Sequence, residues 1–378
     1  MKTAAPIFWA ILWTLGAVHA VSAQNLVVRN AHILDGNGGT IDTGTLVIRN
    51  GRISAYEEDS DTADFDVLDA EGMIVIPSFT DAHRQVVRGD PDEWLAQAEA
   101  HMREYLEAGI TTLVTVDENL EPVLTLRDRL ESLEFEGPRL LVTGPVPLTN
   151  DAQAVVPEAD LREAVQNLAF EGLDGIASTV RASAQGAERQ ALSITRDEAN
   201  NQGLLLITHV DSVRDAEAAV AGNSGYLTRT PHVGEFDAAS ARGLVNAGRN
   251  NAEYGTVMTS TLAEAMQAGS NSPSLANART LWDAGIIYGY GSASSLPPRE
   301  ALQRELAILQ ESFSNEEILA IMTKNSSLAS RRDDALGTLD RGKFADMIFL
   351  NSDPLADIEN LFDIALVMKT GRIVVDNR

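Results

Sequence analysis

The sequence predicts an α/β protein built as a (β/α)8 barrel, with a small β-domain assembled from both termini. Short apolar runs alternate with amphipathic stretches over about 250 residues, the rhythm of parallel strands joined by helical crossovers. Both ends carry strand–turn–strand segments, and neither segment has enough strands to be stable alone. No glycine-rich phosphate loop follows the first predicted barrel strand, which argues against a doubly wound open sheet.

Taken in order, residues 1–24 read as a signal peptide. Lys2 supplies the positive start, "IFWAILWTLGAV" a short apolar run and "VHA" or "VSA" a cleavage site, so a secreted or periplasmic protein is expected. Residues 25–75 and 336–378 form the expected composite β-domain. "LVIRNGRIS" turns at Asn50-Gly51 and "LVMKTGRIVV" at Thr370-Gly371, with "NLVVRNAHILDG" and "ADMIFLN" as further strands. Residues 76–335 form the barrel, with strands expected near 73–80, 111–116, 139–144, 174–180, 204–208, 225–229, 255–260 and 286–291. A helix over 93–108 places Trp94, Leu95, Ala98, Met102, Tyr105 and Leu106 on one stripe and stops at Gly109.

Composition narrows the partners. The formal charge is −26, from 55 acidic and 29 basic residues, which disfavours nucleic acid and anionic membrane. There is no cysteine, so disulfides and thiolate ligands are excluded. A small-molecule ligand is the expected partner.

The chemistry is expected where "VIPSFTDAHRQV" runs out into Asp81, His83, Arg84 and Gln85, at the strand end where barrel enzymes keep their active sites. Here the chain resembles the amidohydrolase superfamily, in particular its imidazolonepropionase-like branch. The resemblance runs from about residue 25 to 378 and is carried by "VLDAEGMIVIPSFTDAH", "LEAGITTLV", "GPRLLVTGP" and "GTLDRGKFADMIFLNSDPLADIENL". It implies a metal-dependent hydrolase of non-peptide C–N bonds. The metal centre would use an H-x-H after strand 1, a Lys after strand 4, single His residues after strands 5 and 6, and an Asp after strand 8 that is also general base.

Read position by position, much of that centre is absent. His83 remains, but Gln85 replaces the second imidazole, and amide oxygen is a poor transition-metal donor beside imidazole. Ala177 falls at the strand-4 position, His209 keeps the strand-5 position, and Ala293 stands where the strand-8 Asp belongs. At strand 6 the alignment favours Arg229, with His232 three residues on. His83, His209 and His232 are therefore the candidate ligands, for at most one Zn. His101, in mid-helix, is expected to pack rather than ligate. Arg84 should point away from the barrel axis, whereas Arg229 and Gln85 are candidate ligand-binding residues. Among loop acids Asp81, Asp117, Glu118 and Asp211, Asp117 is the candidate for substituted acid–base chemistry.

The expectation is an exported, impaired or non-catalytic member, a pseudoenzyme that binds a small ligand or pairs with an intact amidohydrolase homologue. The alternative is a functioning hydrolase of C–N bonds in cyclic amides or N-acyl substrates, with a single metal on His83, His209 and His232.

Overall fold

A computed structural model of the chain describes residues 25–58, 60–117, 119–150, 154–183, 186–267 and 272–378. Residues 1–24, expected to be a signal peptide, and Glu118 lie outside the described residues. Eight parallel strands follow one another round a barrel: Phe79–Arg84, Ile110–Thr115, Arg139–Pro145, Gly175–Thr179, Leu205–His209, Tyr226–Thr228, Val257–Thr259 and Ile287–Gly289. They are called here the first to the eighth barrel strands. The ring closes through backbone bonds from Ala82 N to Tyr290 O (3.0 Å) and from Ala293 N to His83 O (2.8 Å). A tight apolar plug fills the interior: Ala82, Val114, Leu141, Leu205, Ile207 and Val257 are all buried there.

The other sheet unites the two ends of the chain. Leu26–Leu34 pairs with Thr40–Arg49 and with Ile74–Pro77, and Ile74–Pro77 pairs antiparallel with Met347–Leu350 (Ile76 opposite Ile348). Both expected hairpins turn as anticipated. Asn50 and Gly51 have φ of 53° and 73°, and Thr370 and Gly371 of 50° and 75°, the two successive positive values that a type I′ turn needs.

The expected strand at 73–80 is divided between the sheets. Ile74–Pro77 belongs to the β-domain, and the first barrel strand starts at Phe79. Pro77 lacks a donor to continue a ladder, and Ser78 N turns to Asp346 O at 3.1 Å. Pairing of the β-domain thus continues past residue 75, to Pro77. The helix expected over 93–108 is also divided, into Pro91–Ala96 and Ala98–Glu107, with Gln97 at φ −112° and ψ 13° between them. Its apolar stripe is nevertheless on the core, with Met102, Tyr105 and Leu106 buried. His101 stacks on Trp94 with ring centroids 4.9 Å apart, the packing role anticipated for it. No described helix is long and apolar enough to cross a membrane.

Candidate functional site at the barrel mouth

Side chains alternate across a strand, so the interior plug decides what reaches the mouth. Ile207 faces inward, hence so does His209 two residues on. Tyr226 packs on the same interior cluster, hence Thr228 faces inward, and Val257 likewise sends Thr259 inward. In the first strand the register slips between Asp81 and Arg84. This bulge lets Ala82 and His83 both serve the interior while Arg84 is turned out.

Arg84 is fully buried beneath the helix Ala98–Glu107. Its Nε donates to Tyr105 Oη (2.9 Å), Nη1 to Ser292 Oγ (2.9 Å) and Nη2 to Leu296 O (2.5 Å). Ser292 in turn donates from its N–H and its hydroxyl to Asp81, at 3.0 and 2.6 Å. Arg84 therefore points off the barrel axis, as expected, and with Asp81 it ties the first strand to the loop after the eighth. Burial raises the Asp81 carboxyl above its ordinary range, against Arg84 and the Ser292 bonds.

His83 and His209 meet at the centre of the mouth, their ring centroids 5.0 Å apart. His83 Nδ1 shares a hydrogen bond of 2.7 Å with Thr228 Oγ1, which lies 2.6 Å from Thr259 Oγ1. His209 Nε2 is buried with no partner. Both imidazoles are held neutral. Burial, then His209 and Arg229, press the His83 pKa well below its usual value. Burial and then Arg229 bring His209 down to about 4.

Arg229 adopts a left-handed backbone, with φ of 70°. Such a conformation costs a side-chain-bearing residue on the order of 1–3 kcal/mol. Its Nη1 donates to Asp211 (3.1 Å) and its Nη2 pairs with Glu264 (3.2 Å), while Nε is buried without a partner. The carboxylates come from the loop after the fifth strand and the helix Leu262–Gln267 after the seventh, so two segments grip one guanidinium. A ligand carboxylate, expected to be held bidentately by Arg229, would find both arms of the fork engaged.

The strand-6 position belongs to neither sequence candidate. His209 is in register with Thr228, and it is Thr228 that touches His83. Arg229 lies one residue beyond. His232 is half-buried, and its backbone N–H donates to Asp211 O at 3.0 Å. Among the described residues no three His, Cys, Asp or Glu side chains converge as ligands for a metal, so His232 does not join His83 and His209. Ala293 has φ of 45° and brings no side-chain donor. Ala177 pairs with Ile207 on the fourth strand and likewise brings none.

Gln85 and Asp117, distant in sequence, share a second cleft of about 370 Å³ with Arg88 and Asn119. Asp117 is buried and its Oδ2 accepts from Val86 N at 3.1 Å, which anchors the loop after the first strand. Burial lifts its carboxyl to about 6 against the backbone bonds of Val86 and Val87. Arg88 bonds to Gln85 O and to Ser295 O and so bridges the loops after strands one and eight. Gln85 itself is exposed.

Thr228, Thr259, Glu264 and Ser292 were not among the sequence candidates. The alternation from Tyr226 could have singled out Thr228. Nothing local marks Glu264 or Ser292, whose partners are Arg229 and Asp81.

These donors do not fit a binuclear metal centre. Among the described residues the pair supplies two imidazoles, one of them engaged by a hydroxyl, no third acidic or imidazole ligand converges on them, and a guanidinium sits beside the pair.

The barrel with imidazoles ending its first and fifth strands, joined to a β-domain made from both termini, is the scaffold of the amidohydrolase class. The Amidohydrolase family matches residues 74–374, and the chain belongs to that family. It is 31% identical over 96 residues to the N-acyl-D-aspartate deacylase of Alcaligenes xylosoxydans xylosoxydans, a stretch covering 25% of this chain and 18% of that one. It is 29% identical over 113 residues to the allantoinase of Escherichia coli O127:H6, covering 30% and 24% respectively. The aligned stretches thus span less than a quarter of these relatives. In structure it resembles the A. niger ochratoxinase, with a TM-score of 0.76, 16% identity and coverage of 94% and 96%. A Xaa-Pro dipeptidase with bound methionine gives a TM-score of 0.76 at 18% identity, covering 93% and 99%. At such identities the likeness is one of fold.

Proposed function

We propose that this chain is an exported amidohydrolase-family protein that has given up the family's metal-centred hydrolysis. In its place, it binds a small uncharged ligand bearing an amide, such as a lactam, a cyclic ureide or a capped peptide, at the barrel mouth. The observation that carries this reading is the Arg229 guanidinium, fixed between Asp211 and Glu264 beside two neutral imidazoles. The guanidinium engages Asp211 and Glu264, so neither carboxylate is free to ligate a metal beside the imidazoles. One cation against two carboxylates also disfavours an anionic ligand.

The unsatisfied atoms support the amide. A buried polar atom without a partner costs about 1–3 kcal/mol. Arg229 Nε needs an acceptor, and His209 Nε2 can accept or donate according to its tautomer. A carbonyl beside an N–H answers both. The deacylase relative is named for an N-acyl compound, which likewise carries an amide. Pairing with an intact homologue is a further form of the same proposal, in which the degraded barrel serves as a regulatory or stabilising partner.

The test is elemental analysis of the mature protein, purified without chelator or histidine tag, beside its His83→Ala/His209→Ala variant. No metal near one equivalent, even after incubation with excess zinc, is the expected result. About one zinc, iron or manganese per chain, lost in the variant, would restore the single-metal hydrolase reading. It would then justify a screen of N-acyl and cyclic amide substrates.

A further inference from the structure

At the end of the barrel opposite the mouth, a cavity of about 770 Å³ lies between the N-terminal ends of the second and third strands and the β-domain. Its wall carries Arg52, Arg127, Arg139, Arg332 and Lys369 beside three acids, Glu131, Asp174 and Asp334. That gathering runs against a composition with 29 basic and 55 acidic residues.

Some of these charges are already matched. Arg139 pairs with Asp346, which also accepts from Thr111 Oγ1 (3.1 Å) and Thr370 N (2.7 Å) and so has no capacity to spare. Arg332 pairs with Asp174 at 2.8 Å, and Arg127 lies 3.9 Å from the same carboxylate. Arg127 Nε in turn lies 4.0 Å from Glu131 Oε1. Two donors remain: Arg52 donates to Gly342 O (2.6 Å) and Lys369 Nζ to Gly137 O, and neither pairs with a carboxylate among the described residues. Arg52 and Arg139 both lie on the Phe344 ring, with their Cζ atoms 3.9 and 4.5 Å from its centroid, contacts that add cation–π attraction.

We propose that this cavity binds a small molecule carrying an oxyanion, a phosphate or a carboxylate, through Arg52 and Lys369. The bound anion would tie the β-domain to the barrel floor. The volume suits a small ligand, junctions between domains are where such sites tend to form, and guanidinium matches oxyanion geometry. Lys369 supplies a second signature. Burial, with Arg139 and Arg372 nearby, lowers its pKa to about 8 against Asp346 and Glu136. A bound anion stabilises the protonated amine, so binding weakens as pH rises past that value.

The experiment is a titration of the mature protein with inorganic phosphate and, separately, with succinate. It is followed by thermal unfolding, with ionic strength held constant by sodium chloride. The expected result is a saturable rise in melting temperature that chloride does not give and that persists in the His83→Ala/His209→Ala variant. Arg52→Gln, at an exposed position, should raise the half-saturating concentration about tenfold, the scale of one charge-assisted hydrogen bond. Lys369→Gln should do the same and should remove the weakening of succinate binding above pH 8. A response to phosphate alone assigns a phosphate ligand, and a response to succinate alone a carboxylate. No rise beyond chloride with either anion, or titrations of both variants that match the parent, would overturn the proposal.

Discussion

At the barrel mouth one guanidinium, Arg229, meets two carboxylates, whereas at the floor Arg52 and Lys369 meet only backbone carbonyls. The mouth is therefore acid-rich around neutral imidazoles, and the floor has cationic donors to spare. The two ends also differ in what fills them. Inward positions at the mouth hold small or hydroxylic residues, Ala177, Thr228 and Thr259, where the family resemblance implies ligands or their neighbours. Residues that hold the strands together at that same end, Asp81, Arg84 and Ser292, are intact and fully engaged. Site and scaffold can vary separately because they occupy opposite faces of the same strands. In the first strand His83 faces in while Asp81 and Arg84 face out.

That separation is best tested on its scaffold side. Asp81→Ala removes the carboxylate that faces the buried Arg84 and binds Ser292, leaving an uncompensated interior charge. A loss of about 3–5 kcal/mol is expected in chemical denaturation. A loss below 1 kcal/mol would mean that Arg84 is satisfied by Tyr105 and Leu296 alone.

A somewhat smaller effect is expected from Glu305, which accepts from Leu262 N (2.9 Å) and Ala263 N (2.8 Å) and so holds the short helix that presents Glu264 to Arg229. Burial raises its pKa from 4.5 to about 7. The folded state thus holds this proton more tightly than the unfolded chain does. The corresponding stability is complete below the unfolded pKa and is lost as pH rises through the folded value, on the order of 3 kcal/mol in all. His209 acts in the opposite sense, losing stability as pH falls from 6.5 towards 4. The measurement is therefore the difference between parent and Glu305→Gln. The parent should lose stability relative to the variant between about pH 4.5 and 7, and parallel pH profiles would sink the assignment.

The smallest of the three concerns the imidazole pair. Thr228→Val keeps the shape but takes the hydroxyl from His83 Nδ1, which should cost about 1–3 kcal/mol. It should also change the His83 ring resonances in NMR, with those of His209 less affected. Unchanged His83 signals would show that Thr259 or solvent takes over the role of Thr228.

Much of this molecule is legible in one chain. The alternation of strands and helices is local, and seven of the eight barrel strands lie within a few residues of their expected places. Both hairpins follow from Asn50-Gly51 and Thr370-Gly371, because successive positive φ values are a property of the turn itself. The first barrel strand misled because one apolar run, 73–80, feeds two sheets, and only pairing with Met347–Leu350 shows where one ends.

The site divides along the same line. Sequence alone determined the family and the barrel, and it placed His83, Ala177 and His209 on barrel strands, because those statements concern which residue stands where along a strand. Tertiary structure alone decided that Thr228 rather than Arg229 or His232 faces His83, since inward and outward are set by register with the neighbouring strand. It also decided that Arg229 is already held by Asp211 and Glu264 and that the cations of the floor are not all matched. Charge pairing depends on distances of a few ångströms between segments far apart in the chain, and a linear sequence does not contain those distances.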